Sequence, residues 1–253
     1  MDRGTYIAAS GAFAQMRKLE IVNNNLSNLN TAGFKKEVLV GKEQSFDQTL
    51  ASVIAKKDPY AKGDHDRTPG VVDIQSKTDF SPGPIQDTGN KLDVALRNPN
   101  DFLVVNTANG PRYTRAGNLT LNENNELSTH DGVAVAGDGG AITVPPGALS
   151  ITPNGAVFSN GTQVGKLQVV RIEDPSTLRR EGGSRFFQPA GAPAPTAVEP
   201  DVIPESLEMA NISVINSMLD LVNVSRTFEM YTKTAQSIDQ LNQVAISQVG
   251  RRN

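Results

Sequence analysis

The strongest constraint on this chain is a stripe near its carboxyl-terminal end. Val214, Ser217, Leu221, Val224, Phe228, Tyr231, Ala235, Ile238, Asn242, Ala245 and Val249 follow one another at alternating steps of three and four residues. Nine of the eleven are apolar, and Ile215, Met218, Val222 and Leu241 widen the face. That spacing puts the set on one side of an α-helix. Asn211 stands just ahead as a candidate N-cap, and Gly250 just after as a candidate C′ residue. A helix over 212–249 would be about 57 Å long at roughly 1.5 Å per residue. Helices of this kind gain most of their stability by packing an apolar face, so the stripe demands a partner.

A second, weaker stripe opens the chain and predicts a helix over 3–32. Ala9, Ala12, Met16, Leu19 and Leu26 carry it, and Phe13 and Val22 broaden it. Gly33 sits where such a helix would end. Its length would be about 45 Å by the same rise, so the carboxyl-terminal helix would overhang if the two pair. Asn23 and Asn30 fall on the same seam. Asparagine is a poor helix former and costly to bury unpaired, yet polar seam residues fix register and partner in coiled coils.

Between the helices the pattern changes. From 85 to 187, short runs rich in β-branched residues alternate with turn signals. The runs are Leu92–Leu96, Phe102–Val105, Leu119–Leu121, Val133–Val135, Ile142–Val144, Ile151–Pro153 and Val164–Ile172. Asn109-Gly110, Asp131-Gly132, Asn154-Gly155 and Asn160-Gly161 punctuate them, which predicts antiparallel hairpins rather than a parallel sheet. Residues 34–84 read as a polar connector. Residues 188–204 hold Pro189, Pro193, Pro195, Pro200 and Pro204 and read as an extended tether. The expected organisation is therefore α+β: terminal helices over 1–33 and 205–253, forming a coiled-coil layer, bracket a central all-β domain.

Catalytic kits are nearly empty. The 253 residues include no cysteine and only two histidines, which removes thiolate chemistry and most structural zinc sites. Asp64-His65-Asp66 reads as a charged loop tip, and His130 as a turn residue. The Gly-rich run 132–140 lacks the Lys-Ser/Thr of a phosphate loop. No enzyme activity, cofactor or metal is expected. Net charge is −3 with no basic stripe, so nucleic acid is not an expected partner. The pairs Lys35-Lys36, Lys56-Lys57, Arg179-Arg180 and Arg251-Arg252 read as solvated surface. No run approaches the length of a membrane span, and the opening residues lack the apolar core of a signal peptide.

Three segments carry a resemblance. Asn24-Asn25-Leu26-Ser27-Asn28-Leu29-Asn30-Thr31-Ala32-Gly33-Phe34-Lys35 resembles the amino-terminal signature NNxANxxTxGFK of flagellar basal-body rod and hook proteins. Thr88-Gly89-Asn90-Lys91-Leu92-Asp93-Val94-Ala95-Leu96, with Tyr113-Thr114-Arg115-Ala116-Gly117 after it, resembles their TGNxLDVAI…YTRxG core. Leu207-Glu208-Met209-Ala210-Asn211-Ile212 and Arg226-Thr227-Phe228-Glu229 resemble the LExSNV and RxYE elements of their carboxyl-terminal region. Ser27 and Ala210 depart from the usual residues but stay small. Asn98-Pro99-Asn100-Asp101-Phe102 stands in place of a GxGFF-like turn.

The resemblance implies a structural rod subunit, similar to the proximal-rod member, with the distal-rod member as the alternative within the family. A non-flagellar β-head on a helical stalk is a further alternative. It also implies that the terminal helices build the inner tube of a hollow, torque-transmitting axle. Partners would be copies of itself, other flagellar rod proteins and the flagellar export apparatus, without direct membrane insertion. The place would be the periplasmic rod of the basal body, reached from the cytoplasm without a cleaved signal peptide. The expected subunit interface comprises Met16, Leu19, Asn23, Leu26 and Asn30 with the carboxyl-terminal stripe.

Overall fold

The structure, a computed structural model, describes residues 3–45 and 69–250. Asp64-His65-Asp66, Lys56-Lys57 and Arg251-Arg252 lie outside the described residues. The chain divides into two units. One comprises Met1–Leu26, Glu37–Lys77 and Ser213–Asn253, the other Ser27–Lys36 and Thr78–Ile212.

In the first unit, α1 spans Arg3–Ser27 and α2 spans Val214–Gly250, accompanied by a two-stranded ribbon of Glu37–Ser45 and Pro69–Thr78. The amino-terminal helix thus stops short of the expected residue 32. Its asparagines take other work: Asn25 Nδ2 donates to the Glu37 carbonyl at 2.8 Å, and Asn25 Oδ1 accepts from the Glu37 N–H at 2.9 Å. Past Ser27 the Thr31 N–H bonds the Asn28 carbonyl at 3.1 Å, a turn in place of a further helical bond. Gly11 lets the helices touch, because a Cβ there would overlap the Tyr231 ring.

The buried line of α1 runs about one residue ahead of the expected seam. Ala8, Ile21, Val22 and Asn25 are buried, whereas Met16, Asn23 and Asn30 are exposed. The expected seam asparagines are therefore not the buried one. On α2 the stripe and the covered face coincide. Val224 is buried, and Val214, Ser217, Leu221, Phe228, Tyr231, Ala235, Ile238 and Asn242 are half-buried. Ala245 and Val249 lie outside the described side chains. The first bond of α2 runs from the Ser217 N–H to the Ser213 carbonyl at 2.9 Å, so Ser213, not Asn211, holds the cap position. Gly250 lies inside α2 as its final residue, not beyond it.

The second unit is antiparallel throughout its named pairings. Its largest sheet has six strands in the spatial order Arg179–Gly182, Arg185–Phe187, Gly110–Thr114, Asp101–Thr107, Val169–Arg171 and Thr196–Val198. The strand Asp101–Thr107 is central and buried on both faces, which explains its continuous apolar run. Leu103 and Val105 point into one cluster with Leu119, Leu127, Val157 and Leu167. Phe102 and Val104 point into another with Tyr113, Val170 and Phe186. A three-stranded sheet, Leu149–Ile151, Ala156–Ser159 and Thr162–Lys166, turns at Asn154-Gly155 and Asn160-Gly161. Asn160 and Gly161 both adopt positive φ (50° and 80°), as a tight hairpin turn of this kind requires.

Three sequence expectations change here. Val164–Ile172 forms two strands, not one, because the chain crosses between sheets after Lys166. Val135, Ile142 and Val144 are buried core residues held largely by isolated bridges, such as Val105↔Val135, rather than by long strands. The proline-rich stretch is no free tether: Thr196–Val198 adds an edge to the large sheet, and Val202–Pro204 pairs with Val94–Leu96. Proline tolerates such edge positions where its missing N–H is not needed. Ser206–Glu208 then pairs with Ile85–Asp87, so the sheets extend well past residue 187.

Candidate functional site

Glu208 lies at the end of its short strand, 2% exposed, between two cations. Lys35 Nζ donates to Glu208 Oε1 at 2.7 Å, and Arg115 Nε donates to Oε2 at 2.6 Å, with Arg115 Nη2 also paired to Oε2. The Gly83 N–H adds a further donor to Oε1 at 2.9 Å. Lys35 also donates to the Ser81 carbonyl at 2.8 Å. Arg115 spends its remaining donors on backbone: Nη1 reaches the carbonyls of Asn98 and Asp101, both at 2.7 Å, and Nη2 that of Leu96 at 3.0 Å. The Asn98–Asp101 turn is thereby held from inside by the guanidinium, whose planar fork suits several acceptors at once.

Burial pushes the Glu208 carboxyl up, but Arg115, Lys35 and the Gly83 N–H outweigh it and hold it below the ordinary range. Burial pulls the Lys35 ammonium down, and Glu208 only partly restores it. The cluster is therefore built around the carboxylate, with Arg115 as its principal counter-ion.

Backbone contacts lock the same place. Gly33, at φ 65°, packs so closely on Arg115 and Ala116 that a Cβ would overlap the backbone there. Its N–H donates to the Glu208 carbonyl at 2.7 Å. Asn211 Oδ1 accepts the Lys36 N–H at 2.7 Å, while Nδ2 donates to Asp79 O at 2.9 Å and to Ser81 O at 3.1 Å. Arg180 Cζ stacks 4.5 Å above the Phe34 ring and 5.2 Å from that of Phe186. Gly117 packs on Val94 too tightly for any side chain. Asp93 accepts from Thr88 Oγ1 at 2.7 Å and from Asn90 Nδ2 at 2.9 Å, which closes the turn before Val94 and Ala95.

The residues quoted from the sequence thus separate into two groups. Gly33, Phe34, Leu92, Asp93, Val94, Ala95, Tyr113, Thr114, Arg115, Gly117 and Asn211 all belong to the second unit and its closure. Asn28 turns the chain there by accepting from Thr31. Asn24, Arg226 and Glu229 are exposed on the helices, while Asn25 serves the first unit. The reading of Lys35-Lys36 as solvated surface is corrected, since Lys35 is 1% exposed. Gly33 is likewise no helix cap but the point of closest approach to Arg115. Glu208 is the site residue that sequence reasoning misses; its one signal is an acidic residue set between Leu207 and Met209, opposite in sign to Lys35 and Arg115.

The helices present a different surface. Ile7, Phe13 and Met16 on α1, and Ile215, Met218, Leu219, Val222, Met230, Leu241 and Val244 on α2, are large apolar side chains left exposed. Phe13 is 68% and Ile215 73% exposed. Single exposed apolar residues are ordinary, whereas a set this dense on two packed helices is not. Covering it would contribute of order 10 kcal/mol, at about 1.5–3 kcal/mol per fully buried side chain. No helix among the described residues is long and apolar enough to cross a membrane.

Comparison with known proteins gives three family matches in chain order. Residues 6–35 match the family described as flagella basal body rod protein. Residues 98–159 match the flagellar hook protein FlgE/F/G D1 domain, and residues 203–248 the flagellar basal body rod FlgEFG protein C-terminal family. Among curated relatives, the flagellar basal-body rod protein FlgF of Salmonella typhimurium is 30% identical over 259 residues, covering 95% of each chain. The FlgF of Caulobacter vibrioides is 29% identical over 257 residues, covering all of both. The flagellar basal-body rod protein FlgG of Agrobacterium fabrum is 27% identical over 260 residues, or 94% of this chain and 96% of the relative.

Proposed function

The chain belongs to the flagellar basal-body rod protein family, whose members are structural subunits of the rod, and we propose that it is a proximal-rod subunit that polymerises through α1 and α2. The observation that carries the polymerisation is the apolar surface left on both helices after they have packed within the chain. The higher identity to relatives named FlgF than to those named FlgG supports the proximal assignment. In this reading the helices build the inner tube, and copies of the chain and other rod proteins cover the exposed faces. The subunit is delivered by the flagellar export apparatus without signal cleavage and takes its place in the periplasmic rod.

Phe13→Asp and Leu219→Asp test this reading. Each adds a charge to an exposed apolar position, so the isolated chain keeps its circular dichroism spectrum. Rods should fail to assemble and cells should lose motility. Normal swimming in both variants would remove the helical faces from the assembly.

A further inference from the structure

The two apolar lines of α2 differ in period as well as in cover. The half-buried stripe repeats every seven residues, as in Leu221, Phe228 and Ala235. The exposed line repeats every eleven: Leu219, Met230 and Leu241 form one row, and Val222, Lys233 and Val244 the next. Seven residues fall short of two turns and eleven run past three, so the lines wind about α2 with opposite hands. At about 100° per residue the exposed line lies on the side of α2 away from the stripe. Midway along it stand Arg226 and Lys233, both exposed, with Glu229 beside them. Neither cationic side chain has a hydrogen bond or ion pair among the described residues.

The exposed side of α1 has the complementary composition. Phe13, Met16 and Glu20 follow at steps of three and four, and Glu20 is the one carboxylate of α1. Arg17 holds it only by a 3.4 Å contact in which the two side chains are 67% and 54% exposed. Such a pair contributes little and yields readily to a better partner.

We propose that the exposed face of α2 is covered by the exposed face of α1 from a second copy of this chain, with its Glu20 set between Arg226 and Lys233. This rests on the reading of the helices as polymerising elements and names the partner of one face. Each cation stands about 5 Å along the axis from the midpoint between them, within reach of a single carboxylate. Phe13 and Met16 meet apolar side chains in either direction, since Leu219 and Val222 lie on one side of the cations and Leu241 and Val244 on the other. The same chain cannot make this contact, because its own α1 meets α2 at Gly11 and Tyr231 and leaves Phe13 and Met16 outward. A face that binds a different face leaves one of each unused, so the contact propagates into a filament wherever the rotation does not close.

Charge exchange tests the pairing in cells whose sole copy of the chain is altered. Glu20→Lys should shrink the swim ring about fivefold, and so should Arg226→Glu with Lys233→Glu, because like charges then face each other across the contact. All three positions are exposed, so the purified full-length variants keep their circular dichroism spectrum. The three substitutions together should restore about half of the ring or more, since the exchanged charges attract again. That recovery requires a neighbour carrying the same changes, and so identifies a second copy rather than another protein. Normal swimming of either charge variant, or no recovery in the combined one, would overturn the proposal. Should Phe13→Asp and Leu219→Asp abolish swimming while the charge variants swim, the polymerising faces stand and this pairing alone falls.

Discussion

Arg115 and Lys35 both neutralise Glu208, yet their removal should differ sharply in cost. Arg115→Met deletes the paired donors to Glu208 and frees the carbonyls of Leu96, Asn98 and Asp101 at once. Breaking a buried pair by removing one partner costs about 3–5 kcal/mol, much of it the charge left behind. Lys35→Met leaves Glu208 its Arg115 donors and the Gly83 N–H, and takes one donor from the Ser81 carbonyl, which keeps Asn211 Nδ2. It also relieves an ammonium that burial already disfavours. Its cost should be near that of one ordinary hydrogen bond, about 1–2 kcal/mol. The gap of about 2 kcal/mol is roughly a thirtyfold difference in the folding equilibrium of the second unit. Native-state hydrogen exchange at the Val104 and Leu167 amides, both bonded inside that unit, reads it directly. Equal effects of the two substitutions, or an Arg115→Met cost below about 1 kcal/mol, would refute the assignment of Arg115 as the principal counter-ion.

Other consequences are open to simpler assays. The Glu208 carboxyl is held below its ordinary value of 4.5, so the unfolded chain takes up the proton first as pH falls. Its contribution is full above pH 4.5 and disappears as pH drops through the lower folded value, with Asp79 shifted the same way; acid titration of Glu208→Gln should lack that component. Gly33→Ala combines a left-handed φ with overlap on Arg115, and should cost at least about 2 kcal/mol in thermal unfolding of the second unit. Asn25→Ala strips both bonds from the Glu37 backbone and should raise exchange at the Glu37 amide, a local loss of about 1–2 kcal/mol confined to the first unit.

Much of the fold was legible because periodicity is a property of consecutive residues. The α2 stripe, the hairpin turns at Asn154-Gly155 and Asn160-Gly161, and the central run Phe102–Val105 all announce themselves within a few positions. On α1 the line buried within the chain lies one residue ahead of the stripe read from the sequence, for a physical reason. Ala8, Gly11 and Gln15 carry too little apolar area to stand out beside Phe13 and Met16, which face outwards. The proline-rich segment reads as a tether because proline forbids a helix but not an edge strand, and only the sheet shows which edge it joins. Closure through Glu208 was the least legible feature. Its partners are 173 and 93 residues away in sequence, and no local pattern encodes such pairings.

That separation gives the motifs a meaning their spelling does not suggest. Had the family-like residues formed the contact surface between subunits, most would be exposed in a single chain. Instead Gly33, Phe34, Lys35, Arg115 and Glu208 are all buried, and each spends its bonds or its small size on the same knot. The side chains left exposed on the helices, from Phe13 to Leu241, lie mostly outside the quoted motifs and share only apolarity. Apolar contact tolerates exchange among residues of similar volume, whereas a carboxylate between an ammonium and a guanidinium, approached by a glycine, admits few substitutes. A resemblance that rests on such residues therefore speaks first of how one subunit closes upon itself. In the proposed assembly, where that subunit sits would be decided by the helical faces, whose alphabet is far less specific.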